Sequence, residues 1–324
     1  MPLLRKLRSL LGSLLKKSAP ELASHETAVD LAALLRHQDA RLTDVQNGIG
    51  AQLAILDSRL VPLQQRLLQF DRDLQWVRGA LAASVRTLPP NDLRHFESRV
   101  YSQNGEDGII EEIFRRIRTT NRYFVEFGVE TGGECNAAHL ALDKGWSGLF
   151  LEADPDLFYH LQRRFSAHSR IRCQQAIVTS ENIESLLEEA DVPLELDLLA
   201  IDVDGNDYWI WKAITHWSPR VVVIEYNGSH RPDVRWVMKE NLDHRWCGNT
   251  YYGASLASLN ALARTKGYTL VGTNTLGVNA FFVRNDLVAP ELFLDPAVHY
   301  HYSPATHGPY PGGHPPADGP HLEI

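Results

Sequence analysis

Five short apolar runs alternate with longer segments of helical periodicity: Tyr123 to Phe127, Gly148 to Glu152, Ile171 to Val178, Leu196 to Val203 and Arg220 to Tyr226. This alternation constrains the fold more than any other feature of the chain. Most of the runs are apolar at nearly every position rather than at every second one, so each strand needs cover on both faces. A parallel sheet with helices packed on each side provides that cover. After a helical segment near Ser255 to Thr265, two further runs, Tyr268 to Gly272 and Val278 to Arg284, are separated only by Thr273-Asn-Thr-Leu-Gly277. A connection that short joins antiparallel neighbours. The expectation over residues 95–288 is therefore an α/β domain of five parallel strands closed by an antiparallel hairpin, seven strands with helices on both faces.

Residues 122–154 specify the first turn of that domain. They read as a strand, a glycine turn, a helix and a second strand that ends on an acid, Glu152. Dinucleotide folds place G-x-G-x-x-G at this turn so that backbone can approach a pyrophosphate. Here Glu126, Gly128, Gly132 and Gly133 give E-x-G-x-x-x-G-G, with Glu130 where a second glycine would stand. A pyrophosphate would meet carboxylates, whereas the positively charged methionine portion of S-adenosylmethionine tolerates an acidic surround. The turn therefore favours a methyl donor over a nicotinamide cofactor.

The rest of the chain divides into three parts. Residues 1–18 carry five basic residues and no acid, with leucines at helical spacing, and form a basic amphipathic helix that lies either on a membrane surface or on a protein. Over residues 25–86, apolar positions from Leu42 to Leu81 recur at steps of three and four, a coiled-coil seam for self-association or tethering. Pro62 interrupts it, and a kink or a helical hairpin is expected there. Residues 295–324 hold seven prolines and five histidines and read as a disordered tail. A net charge of −8 argues against a nucleic-acid partner. The cysteines Cys135, Cys173 and Cys247 are widely spaced, which suits a reducing compartment. Without an apolar run long enough to span a bilayer, a cytoplasmic protein is expected, with the inner membrane face as an option through residues 1–18.

Four blocks, Tyr101-Ser-Gln-Asn-Gly-Glu-Asp-Gly-Ile-Ile110, Phe124-Val-Glu-Phe-Gly128, Leu151-Glu-Ala-Asp154 and Ala200-Ile-Asp-Val-Asp-Gly205, resemble the FkbM-like group of class I S-adenosylmethionine-dependent methyltransferases. The resemblance covers about residues 98–285 and implies a Rossmann-like methyltransferase sheet. It also implies that Glu126 and Gly128 lie beside the methionine portion of the donor, that Glu152 holds the ribose hydroxyls, that Ser102 and Gln103 help close the pocket, and that Gly132 belongs to the same cofactor site. Gly128 and Gly132 can equally serve a tight turn without ligand, and Asp154 before Pro155 suits a helix cap.

A second set of acids ends the fourth and fifth strand candidates. Asp202, Asp204, Glu225 and Asn227 offer only oxygen, which suits a hard divalent cation such as Mg²⁺ able to hold and activate an acceptor hydroxyl. The alternative is that Asp202 contacts the donor amine and Asp204 caps the next helix. Without a metal a base must take the hydroxyl proton, and His230 is the best-placed candidate, so that Asp202 and His230 are the expected catalytic residues. Five of the seven tryptophans lie between residues 209 and 246, and the polar loop Gly248 to Ser255 follows, which suits a sugar acceptor. The expected activity is O-methylation of a sugar hydroxyl in a bacterial surface polysaccharide or glycoconjugate. The expected partners are a glycan acceptor, further copies of the chain through the coil, and a membrane-bound glycan-assembly partner. A non-catalytic coiled-coil scaffold with a nucleotide-binding domain is the competing reading.

Overall fold

The computed structural model describes residues 88–306 and 313–324, together with isolated positions between His37 and Phe70 that are helical. The basic helix expected over residues 1–18 lies outside the described residues, as does nearly all of the coil expected over 25–86. Five strands run parallel: β1 (Tyr123–Phe127), β2 (Ser147–Glu152), β3 (Ile171–Gln175), β4 (Leu198–Ile201) and β5 (Val221–Glu225). After β6 (Val237–Met238) come β7 (Tyr268–Thr273) and β8 (Asn279–Arg284), and β9 (His321–Leu322) is last. The main sheet has the order β3-β2-β1-β4-β5-β8-β7, with β8 antiparallel between β5 and β7. All seven expected strands form. The edge strand β3 stops at Gln175, short of the expected Val178, and none of its residues is fully buried, as befits a strand with one neighbour.

Helices cover both faces: α1 (Glu106–Ile117), α2 (Ala138–Leu142), α3 (Pro155–Phe165), α4 (Ile183–Glu189), α5 (Asp207–Ala213), α6 (Leu256–Thr265) and α7 (Val298–His301). The alternating side chains of the strands separate into two cores. Val125, Leu199, Ile224 and Phe282 face one with Trp211 of α5 and Leu259 of α6. Phe124, Ala200, Val223 and Phe281 face the other with Ile109, Ile110 and Ile113 of α1. At the N-terminal edge of the sheet, Asp197 accepts from the Thr120 and Arg122 backbone N–H groups and pairs with Arg220 at 3.0 Å. Arg220 also donates to the carbonyls of Ile117 and Arg118 at the end of α1. The otherwise unsatisfied carbonyls at a helix end are thereby met by a cation. With that edge closed by charge pairs, the opposite edge is left to gather loops.

The described part of the proline-rich tail is ordered, against the expectation for 295–324. Residues 295–306 lie along the β7–β8 side, where His301, Ser303 and Ala305 are buried. There Tyr226 donates to the Ser303 carbonyl at 2.6 Å and Tyr302 to the Gly228 carbonyl at 2.9 Å. Further on, β9 pairs with β6, Thr250 N donates to Pro315 O, and Lys239 N and Tyr251 Oη donate to Pro320 O. Proline lacks an N–H but keeps its carbonyl. The body of the domain supplies the donors that the tail lacks, a long-range pairing that composition does not reveal.

Candidate active site

The C-terminal edge of the parallel strands gathers the expected residues into one crevice, and its two sides are built differently. On the β1–β2 side, the carboxylate of Glu126 is buried beneath the glycine loop and accepts from Asn136 N at 2.7 Å and Ala137 N at 2.8 Å. Burial pushes its pKa up to about 7, against those two hydrogen bonds. Glu152, at the end of β2, accepts from Glu130 N at 2.7 Å and Asp154 N at 2.9 Å. Both acids thus fix the path of the loop over residues 128–137. Gly128 adopts φ +77°, and a Cβ there would fall 1.4 Å from the Asp202 carbonyl oxygen, so only glycine lets β1 run out beside β4. Gly132, at φ +71°, makes room for Leu161 and Phe165 of α3. Asp154 caps α3 through Asp156 N and Leu157 N, as expected.

On the β4–β5 side the acids face one another. Asp207 is buried at the start of α5, with Oδ1 accepting from Val203 N at 2.8 Å and Oδ2 from Gly205 N at 2.9 Å. Drawing these two N–H groups together forces the intervening Asp204 into a left-handed conformation at φ +55°. Asp202, Asp204 and Glu225 then each bring a carboxylate oxygen to within 4.8 Å of the others. Burial pushes the pKa of Asp202 and Glu225 well up, and the neighbouring carboxylates push the same way. Oε2 of Glu225 is buried with no hydrogen-bond partner.

Other expected site residues are engaged elsewhere. Asn227 is not free to bind a metal, because Nδ2 donates to the carbonyls of Thr250 and Tyr252 and Oδ1 accepts from Ser229. It pins the 250–252 loop to the end of β5. His230 stacks on Trp236 at 4.5 Å between ring centroids, and burial lowers its pKa to about 4. A group so weakly basic is poorly suited to take a proton. Ser102 is buried in a reciprocal cap, its N–H donating to Asp107 Oδ2 and its Oγ accepting from Asp107 N. Gln103 is exposed beside it and accepts from Asn104 Nδ2. Among the aromatics, Trp211 is core, while Trp246 is exposed and contacts the rings of Tyr252 and His314.

No family model matches the chain, and no curated relative does. Solved structures give partial likenesses. The N-terminal domain of EvdMO1 in the presence of SAH and D-fucose aligns at 14% identity and a TM-score of 0.37, over 55% of this chain and 82% of that one. The fibrillarin pre-rRNA processing protein of Methanococcus jannaschii aligns at 11% and 0.40, over 57% and 75%. The METTL16 methyltransferase domain aligns at 14% and 0.39, over 58% and 70%. The strand order of this chain is itself that of the Rossmann-like methyltransferase fold, five parallel strands with an antiparallel strand inserted beside the fifth.

Sequence reasoning missed several residues of the crevice. Glu106 opens α1 fully buried, accepting from Asn104 N, Asn274 Nδ2 and Asn279 Nδ2. Asp107 collects the N–H groups of Val100, Tyr101 and Ser102 on one oxygen while Oδ1 stays unpartnered. The pair Glu106-Asp107 after Ser102 is a legible helix-start signal, whereas Asn279 is brought to the crevice only by strand register. Asp107 Oδ1, Glu225 Oε2 and Asn279 Oδ1 are buried without a hydrogen-bond partner. That lining fits a cationic ligand and suits the ammonium and sulfonium of S-adenosylmethionine.

Proposed function

We propose that the chain is an S-adenosylmethionine-dependent O-methyltransferase that acts on a sugar hydroxyl of a polysaccharide or glycoconjugate. The observation that carries this reading is the trio Asp202, Asp204 and Glu225, held within 4.8 Å of one another at the C-terminal edge of a sheet with methyltransferase strand order. Ligands of open α/β sheets collect at this edge. S-adenosylmethionine supplies a methyl carbon made electrophilic by its positive sulfur. Glu152 and the loop it fixes would hold the ribose, and the Glu126 side of the crevice the methionine portion.

The trio receives the acceptor. As the hydroxyl oxygen bonds to the methyl carbon, the bond from that carbon to sulfur breaks and its electron pair stays on sulfur. The hydroxyl proton passes to Asp202, whose proton affinity is raised by burial and by the carboxylates of Asp204 and Asp207. The deprotonated Asp202 needed at the start is favoured by the positive donor beside it. A sugar acceptor is supported by Trp246 and Tyr252, whose rings meet 6.2 Å apart, with Tyr252 close enough to the trio to feel its charge. The basic helix and the coil would place the domain beside membrane-bound glycan assembly. No helix among the described residues is long and apolar enough to cross a membrane.

Calorimetric titration of the full chain with S-adenosylmethionine tests the donor. Saturable binding is expected, weakened at least about tenfold in Glu152→Ala. No binding by the wild type would overturn the reading. Transfer of a labelled methyl group to purified glycans, lost in Asp202→Asn, tests the acceptor.

A further inference from the structure

Asn279 belongs to the same row as the trio. The last paired residues of β4 and β5 are Ile201 and Ile224, so continuing the parallel register by one residue sets Asp202 beside Glu225. Across the antiparallel β5–β8 pair, Glu225 stands opposite Asn279. Residues opposite one another in neighbouring strands point to the same face. That face is the one carrying Ala200, Val223 and Phe281, under α1. Asp202, Glu225 and Asn279 therefore form one file across three adjacent strands, with Asp204 reaching in from the loop.

The Asn279 side chain is fixed in a particular sense. It is 4% exposed, and Nδ2 donates to Glu106 Oε1 at 3.0 Å, an acceptor also held by Asn274 Nδ2 at 2.9 Å. With its nitrogen committed there, the amide turns Oδ1 the other way, and that oxygen is buried without a partner. The Oε2 of its cross-strand neighbour Glu225 is in the same condition. Leaving a buried acceptor unpaired costs on the order of 1–3 kcal/mol. Two such atoms on cross-strand neighbours, in a row with two further carboxylates, point to missing positive charge rather than to a single missing hydrogen bond. The four residues of the row offer only oxygen, and the nearest ring nitrogen is that of His244, beside Asp204. Oxygens around a cation at 2.0–2.6 Å stand up to about 4–5 Å apart, which the spacing of the trio matches.

We infer that Asn279 Oδ1 is the fourth oxygen of a divalent-cation site completed by the carboxylates of Asp202, Asp204 and Glu225, and that the cation is of the hard, Mg²⁺ or Mn²⁺ class. The role expected of Asn227 passes to Asn279, because the amide of Asn227 is spent on the 250–252 loop. The purpose of the site, to bind the acceptor hydroxyl and ease loss of its proton, rests on the methyltransferase reading; the existence of the site does not.

The test uses the full chain stripped with a chelator and titrated with Mn²⁺, free ion being counted by its electron paramagnetic resonance. A parallel calorimetric titration with S-adenosylmethionine is run in chelator. One Mn²⁺ per chain, displaced by Mg²⁺, is expected. Asn279→Ala should weaken it about tenfold, and Asn279→Asp, which adds an anionic oxygen of the same size, should tighten it about tenfold. Should the alanine variant fail to fold, the aspartate variant decides alone, and unchanged or weaker Mn²⁺ binding there overturns the inference. So does a wild type that binds no Mn²⁺ at millimolar concentration. Weakened donor binding in Asn279→Ala with unchanged Mn²⁺ binding would also overturn it, and would make Oδ1 an acceptor for the ammonium of the donor. Absence of donor binding alongside intact Mn²⁺ binding would sink the methyltransferase reading and leave the cation site standing.

Discussion

Glu126 and Glu152 on one side of the crevice, and Asp202, Asp204 and Glu225 on the other, are all carboxylates at the C-terminal ends of parallel strands. The first two have a backbone N–H on each oxygen, whereas the other three face one another. On the β1–β2 side the acids are consumed in shaping the glycine loop. On the β4–β5 side the shaping is delegated to Asp207, which leaves its neighbours available to ligands. A strand-end acid in a fold of this kind is thus legible as chemistry only once its backbone donors are counted. Glu152 and Asp202, one from each side, should also respond oppositely to removal of charge.

The largest expected effect falls where the two sides touch. Gly128→Ala would drive a Cβ into the Asp202 carbonyl at a left-handed φ, combining backbone strain with overpacking, and should cost roughly 4 kcal/mol. Urea denaturation measures it, and a loss under about 1 kcal/mol would show that the two strand ends are not locked together.

Next is the protonation of Glu126. Its folded pKa of about 7 stands above the 4.5 of an unperturbed glutamate. A raised carboxyl pKa means the folded state holds its proton more tightly. The associated stability is fully present below pH 4.5 and is lost as pH rises through about 7. The loss attributable to this group is about 3 kcal/mol at most. Glu126→Gln cannot titrate, so unfolding of variant and wild type at pH 5 and pH 8 should show a shallower fall in the variant. Parallel pH dependences would place the Glu126 pKa near its ordinary value.

The two sides are separated directly by paired isosteres. Glu152→Gln puts an amide nitrogen against a backbone N–H and should cost about 1–2 kcal/mol. Asp202→Asn relieves repulsion within the trio and, without added cation at pH 8, should stabilise by about 1 kcal/mol while methyl transfer falls at least about a hundredfold. Thermal unfolding of both variants decides it, and destabilisation by Asp202→Asn would mean that the trio is held by hydrogen bonds like its counterpart.

Much of this was legible in the sequence. Apolar runs gave the strand inventory, the short connection before Gly277 gave the antiparallel hairpin, and Asp-Pro gave the cap of α3, because each depends on residues close in the chain. Asn279 was not legible, since its place beside Glu225 is set by register between strands more than fifty residues apart. Nor was the order of the tail, whose proline carbonyls are met by Thr250, Lys239 and Tyr251 from distant segments. Asn227 misled because its residue type suits a ligand, while its hydrogen bonds close a loop.

His230 misled in the same way, and it carries the smallest predicted effect. Three residues beyond Asn227, it occupies a place where a base could serve the β4–β5 acids. Its ring instead stacks on Trp236, which also stacks on His321 of the tail, and its buried Nε2 has no partner. Burial lowers its pKa to about 4, so the ring is neutral throughout the physiological range. For a base whose folded pKa is depressed, stability associated with the neutral form grows as pH rises from about 4 towards 6.5 and is constant above that. His230→Ala should therefore remove roughly 1 kcal/mol of stacking at neutral pH. It should leave the pH dependence of methyl transfer between pH 6 and 9 unchanged. Loss of an ionisation from that profile would restore His230 as the base and shift the proton away from Asp202; an unchanged profile leaves Asp202 in that role.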